Sequence, residues 1–110
     1  YAYYIANSNK IKAVKVVNSQ GKPVSPSEAA VLDGSYNPFS RPLMMYVNVE
    51  SLKKPEVKEF VDFLLTNGAK YVKEVKYVPL AQSAYDLAKL HVKNNKIGTV
   101  FGGAPKVGCS

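Results

Sequence analysis

The residues able to do chemistry are few. Arg41 is the single arginine, and it stands in SYNPFSRPL (residues 35–43) between Pro38 and Pro42. A lone guanidinium in that setting has two uses. It forms a bidentate fork for a phosphate or carboxylate, or it ties carbonyls or a carboxylate across a bend that two prolines restrict. The residue types leave both uses open. His91 is the single histidine, so no second imidazole is available to share a metal. Its place near the C-terminal end of an expected helix suits a packing or surface histidine, whose cation the helix dipole favours. Cys109 is the single cysteine, which excludes an internal disulfide and the paired-cysteine zinc patterns. It sits in the glycine-rich GGAPKVGCS, poor support for a nucleophile pair with His91.

The remaining candidates read more plainly as structure. Glu56, Glu59 and Asp62 fall with Lys58 on the solvent side of an expected helix, a charged face rather than an acid–base pair. Gly98–Gly103 (GTVFGG) lacks the Lys-Ser/Thr finish of a phosphate-binding loop. The tyrosines are dispersed along the chain. That fits packing at a core edge with the hydroxyl reaching water better than a stacking platform. No catalytic residue, metal ligand or cofactor is assigned, and an enzyme is not expected.

Composition bounds the rest. A chain of 110 residues with 46% hydrophobic and 21% charged residues has the make-up of one globular domain. The net charge is +7, but the lysines are interleaved with Asp and Glu, without a run of five basic residues. A solvated basic surface is the expectation, not a nucleic-acid site. No stretch approaches the roughly 18 apolar residues of a membrane span. The chain opens on YAYYIANSNK, with neither an initiator Met nor a secretory signal. An aromatic segment at residue 1 reads as a chain already under way, so a fragment or processed product is expected.

The elements that must position these residues follow from periodicity and punctuation. Residues 1–5 are a strand end or a short helix start. Residues 11–17 alternate apolar residues with lysine, as in a half-buried strand, and NSQGK (residues 18–22) is a turn. Ser25 as cap, Pro26 at the first helical position and Glu28 completing a capping box predict a short helix through Leu32, ending at Asp33–Gly34. The apolar run Leu43–Val49 suits a strand buried on both faces. From Pro55, Val57, Phe60, Val61, Leu64 and Leu65 keep helical spacing, with Asn67–Gly68 as the stop. Residues 71–78 are either a helical extension or an alternating segment. Gln82–Asn94 is a last helix with Ala84, Leu87, Ala88 and His91 on one stripe.

Four stretches carry a resemblance to a family. GKPVSPSE (residues 21–28), DGSYNPFSRPLMMYVN (33–48), LKKPEVKEFVDFLLTNGAK (52–70) and YVPLAQSAYDLA (77–88) are similar, in order and spacing, to the C-terminal third of bacterial phosphate-binding proteins. These are the extracytoplasmic receptors of high-affinity phosphate ABC import systems. The resemblance implies an α/β chain: a fragment of a two-lobed type II periplasmic-binding-protein fold, with a central strand and covering helices. It implies that residues 1–32 edge the second lobe, 33–42 form the crossover and hinge, 43–97 return to the first lobe, and 98–110 are a glycine-rich tail. Inorganic phosphate is then the ligand of the full-length receptor and a membrane permease its partner. The place is periplasmic or extracellular, membrane-associated through a possible lipoprotein parent. The family's phosphate ligands match no position here, so no phosphate-binding residue is carried over. Pro38, Ser40, Arg41 and Pro42 fall instead in the hinge-side turn, which tips Arg41 toward the bend. Open sheet edges and bare helix faces would leave such a fragment associated with the rest of its receptor or with a second copy. The alternative is a stand-alone interaction module that binds an acidic partner through its lysines.

Overall fold

The computed structural model describes residues 1–99. In chain order the elements are α1 (Ala2–Ala6), β1 (Val16–Val17), β2 (Pro23–Val24), α2 (Glu28–Leu32), a 3-10 turn (Ser51–Lys53), α3 (Pro55–Glu74) and α4 (Gln82–Lys93). Residues 1–5 thus take the helical option. The alternating run at 11–17 forms a ladder only at its end, where Val16 opposes Val24 and Val17 opposes Pro23 in an antiparallel hairpin. Proline cannot donate to a ladder, which helps confine the pairing to two residues.

The start of α2 differs from the expected cap. Ser27, not Ser25, is the N-cap: its backbone is extended and its Oγ accepts the Ala30 N–H at 3.1 Å. A capping hydroxyl accepts an amide two or three residues on, and Ser27 meets that condition for a helix beginning at Glu28. The end falls as expected, with Asp33 as C-cap and Gly34 at φ +77°.

Helix α3 starts at Pro55 but does not stop at Asn67–Gly68; it runs 20 residues to Glu74. Gly68 is a packing residue. A Cβ placed there would lie 3.6 Å from Cε1 of Tyr85, so the α4 aromatic passes directly over it. The true stop is at Lys76 (φ +63°), where the Lys76 N–H reaches the Lys73 carbonyl and the Tyr77 N–H the Val72 carbonyl, each at 3.0 Å. This pair of bonds is the Schellman closure. Helix α4 ends the same way at Asn95 (φ +49°), with the Asn95 N–H on Val92 and the Lys96 N–H on His91. The contact distance at Gly68 is ordinary van der Waals separation, so Gly68→Ala is expected to raise stability by about 0.5–1 kcal/mol through helix propensity. A thermal melt followed by circular dichroism checks it.

The Gly68–Tyr85 contact also sets the rotation of α4. Tyr85, Ala88, Lys89 and Val92 become half-buried, while Leu87 of the expected stripe faces solvent with Leu90. On α3, Val57, Val61, Leu64 and Leu65 are covered to differing degrees, but Phe60 is 61% exposed. Phe60 and Phe63 begin a second apolar strip, with the Tyr71 ring 6.1 Å from Phe63.

The expected strand Leu43–Val49 is not formed; that segment has no regular structure, and Leu43 is 90% exposed. The reason is the absence of neighbours. A strand buried on both faces needs ladder partners on its edges, and the other strand residues described pair with each other. The α/β reading therefore holds only in its coarse form, helices with a small sheet. Among the described residues the apolar core is reduced to Ala30 and Val61. The accessible surface is 8361 Å², against roughly 6,000 Å² for a compact 12 kDa protein. The radius of gyration is 16.3 Å, against about 13 Å for a compact chain of this length.

Candidate functional site

The turn that carries Pro38, Ser40, Arg41 and Pro42 is held from two sides. One is the hairpin. Asn18, 8% exposed, has its Oδ1 accepting the Gln20 and Lys22 amides at 3.0 Å each, while its Nδ2 donates to the Ser35 carbonyl at 3.2 Å. Gly21 (φ +76°) supplies the left-handed residue the turn requires, and its N–H closes on the Asn18 carbonyl at 2.9 Å. Asn37 makes the reciprocal link, accepting the Ser19 N–H at 2.9 Å and donating to the Gly34 carbonyl at 3.0 Å. The other side is α2. Ser40 is 3% exposed; its amide reaches the Tyr36 carbonyl at 2.9 Å and its hydroxyl the Val31 carbonyl at 3.0 Å. The Asn37–Pro38 peptide is cis, and the Tyr36 and Phe39 rings lie 6.3 Å apart on the flank of the turn. Hairpin, α2 and turn are thus one hydrogen-bonded unit.

Arg41 does not tie the bend. It is exposed and makes no hydrogen bond or ion pair among the described residues. Ser40 does the tying, together with Asn18 and Asn37, which the sequence reading passed over. The available signal was an asparagine opening NSQGK and another before a proline, both turn-forming positions for a side-chain amide. An exposed, unpartnered residue carries little stability, so Arg41→Ala is expected to shift the unfolding midpoint of this chain negligibly, by less than about 0.5 kcal/mol. Chemical denaturation of the two chains side by side reads it.

Asp33 gives the turn its one perturbed acid. The Ser35 hydroxyl and then the Ser35 amide, at 2.8 Å, hold the Asp33 carboxyl below the usual carboxylate value. A carboxyl whose folded pKa is depressed stabilises the fold above its unfolded pKa, and that contribution disappears as pH falls through the folded value. Loosening of the 33–35 turn below the ordinary carboxylate range is the expected result, visible as faster amide exchange at Ser35.

The other candidate residues do not converge. His91 is half-buried on α4, and its carbonyl closes the helix end. Glu56, Glu59 and Asp62 are exposed along α3. Among the described residues no group of three His, Cys, Asp or Glu is placed to hold a metal, and no helix is long and apolar enough to cross a membrane. Cys109 and the end of the glycine-rich tail lie outside the described residues. A separate groove of about 580 Å³ runs between the 3-10 turn, α3 and α4, lined by Leu52, Val61, Leu65 and Val92 with Lys53, Lys58, Lys89 and Lys93 around them.

A turn whose polar atoms satisfy one another holds a bend, and nothing in its geometry names a ligand. Similarity to known proteins decides more. The chain is 46% identical over all 110 of its residues to Protein SphX of Synechococcus elongatus, covering 33% of that protein. It is 42% identical over 104 residues to Protein SphX of Synechocystis sp., covering 31%. To the Phosphate-binding protein PstS of Staphylococcus aureus it is 36% identical over 102 residues, again 31% of that protein. The chain is homologous to one third of a phosphate-binding protein. The resemblance seen in the sequence is therefore found, and the chain spans about a third of the length of the curated relatives it matches. No family model matches it, and no solved structure does.

Proposed function

We propose that this chain is the C-terminal third of the phosphate-binding receptor of a bacterial phosphate ABC import system, a non-catalytic component working outside the cytoplasm. The observation that carries the reading is identity of 36% over 102 residues with 31% of the Phosphate-binding protein PstS of Staphylococcus aureus, beside 46% over the whole chain with 33% of Protein SphX of Synechococcus elongatus. In this reading the parent closes two lobes on inorganic phosphate and delivers it to a membrane permease. Its phosphate ligands lie mostly outside these residues. Pro38, Ser40, Arg41 and Pro42 belong to the hinge-side turn, with residues 1–32 edging one lobe and 43–97 returning to the other.

The geometry is in keeping with that role. Phosphate recognition needs converging N–H groups, often at helix N-termini, with hydroxyls and a guanidinium. Here the amides of Ser19, Gln20, Lys22, Ser35 and Ser40 are already bonded within the chain, and Arg41 is exposed. Calorimetric titration of the 110-residue chain with inorganic phosphate, with sulfate as control, is the test. No heat of binding is expected. Tight, phosphate-selective binding would mean that the chain builds its own site, and would overturn the assignment of the ligands to the missing part.

A further inference from the structure

We propose that Asn67–Gly68 is a self-modifying site: an asparagine that cyclises onto its own backbone, held unreactive by α3 and released when α3 opens at this point. The pair lies inside α3, away from both ends. Asn67 is half-buried, and its Nδ2 donates to the Phe63 carbonyl at 3.1 Å, one turn back. Gly68 is buried with the Tyr85 ring over it. Inside a helix its amide is spent on the carbonyl four residues back. Asparagine is a thermolabile residue, and every other asparagine of the chain is followed by a residue with a Cβ. At residue 68 no Cβ hinders an attack by the backbone nitrogen, and the backbone can take the turned conformation that the attack needs.

A peptide nitrogen is a weak nucleophile because its lone pair is delocalised, so the Gly68 amide must first be free to lose its proton. It then attacks Cγ of Asn67. The new N–Cγ bond closes a succinimide ring, the Cγ–Nδ2 bond breaks, and ammonia leaves carrying the amide proton. Water opens the ring. Addition at Cγ gives aspartate; addition at the main-chain carbonyl leaves the chain running through Cγ, an isoaspartate. Helical α3 opposes the first step twice, by engaging the Gly68 amide and by holding the Asn67 side chain on the Phe63 carbonyl. Either product loses the Nδ2 donor and places a negative charge in mid-helix. Isoaspartate also lengthens the backbone by a methylene, so the helical register beyond residue 67 is lost, and the Gly68–Tyr85 packing with it. The modification is one-way: it records an opening of α3 and prevents reclosure. The inference rests on α3 and not on the phosphate reading.

The test incubates the 110-residue chain in mildly alkaline buffer, with and without denaturing urea, and follows residue 67 by mass spectrometry of the tryptic peptide 59–70. Conversion is expected in urea, with native conversion slower by about tenfold or more and in step with hydrogen exchange of the Gly68 amide. Val61→Ala, which loosens the helix pair, is expected to bring the native rate toward the urea rate. Gly68→Ala keeps the fold and is expected to slow conversion in urea by about tenfold, through its Cβ. Chain converted at Asn67 is expected to lose helix signal. Equal rates with and without urea, a native rate indifferent to Val61→Ala, or absence of conversion in urea overturns the proposal. So does converted chain that melts as the parent does.

Discussion

Val61→Asp is expected to abolish the packed α3–α4 pair at neutral pH. Among the described residues Val61, 2% exposed, is the most buried apolar residue, and Leu65 and Val92 line the same groove. Removing its methyls alone, as in Val61→Ala, is expected to cost about 2 kcal/mol. An aspartate adds a carboxylate to the same volume without a buried cation to meet it, at several kcal/mol more. A small domain is stable by only about 5–15 kcal/mol, and among the described residues the only other buried apolar residue is Ala30. The expected result is loss of the cooperative thermal transition and of most far-ultraviolet helix signal from α3 and α4. Retention of a native-like melt would mean that Val61 is not the residue on which the helix pair rests.

The second large effect is expected at Asn18. Asn18→Ala removes the acceptor of two amides and the donor to the Ser35 carbonyl together. The cost is about 2–3 kcal/mol, because the freed groups lie partly out of water. The damage is local. Amide exchange of Gln20 and Lys22 accelerates and the turn at residues 35–40 loosens with it, while protection in α3 and α4 is unchanged. Asn18→Asp keeps an acceptor for the two amides but sets a carboxylate oxygen against the Ser35 carbonyl, so it is expected to destabilise the turn as well. Exchange that rises equally in α3 would show that hairpin, turn and helices unfold as one unit.

What was legible in the sequence follows from how local each signal is. Pro55 at a first helical position and apolar residues at helical spacing place α3's start, because these act within one turn. The end of α2 at Asp33–Gly34 is likewise local. Asn67–Gly68 misled because glycine marks both a helix end and a close approach. The contact that decides between them, Gly68 on Tyr85, is 17 residues away in sequence. Leu43–Val49 misled for a different reason. Its composition is that of a buried strand, but a strand exists only with partners, and the described residues do not supply them. The site shows the same limit. Arg41 drew notice by its charge, whereas Ser40 and Asn18 hold the turn by burial and hydrogen bonds that no residue type announces.

The exposed apolar strip of α3, the unpaired Leu43–Val49 segment and the match to a third of longer relatives point the same way. In the reading proposed above, faces left bare here are covered by the rest of a longer receptor. The most direct measurement joins this chain to the rest. The 110 residues are mixed with the separately expressed remainder of the longer receptor proposed above, and the mixture is titrated calorimetrically with inorganic phosphate. Binding that neither piece gives alone, together with a one-to-one complex, is the predicted result. Phosphate binding by the 110 residues unaided, or a failure of the pieces to associate, would contradict it.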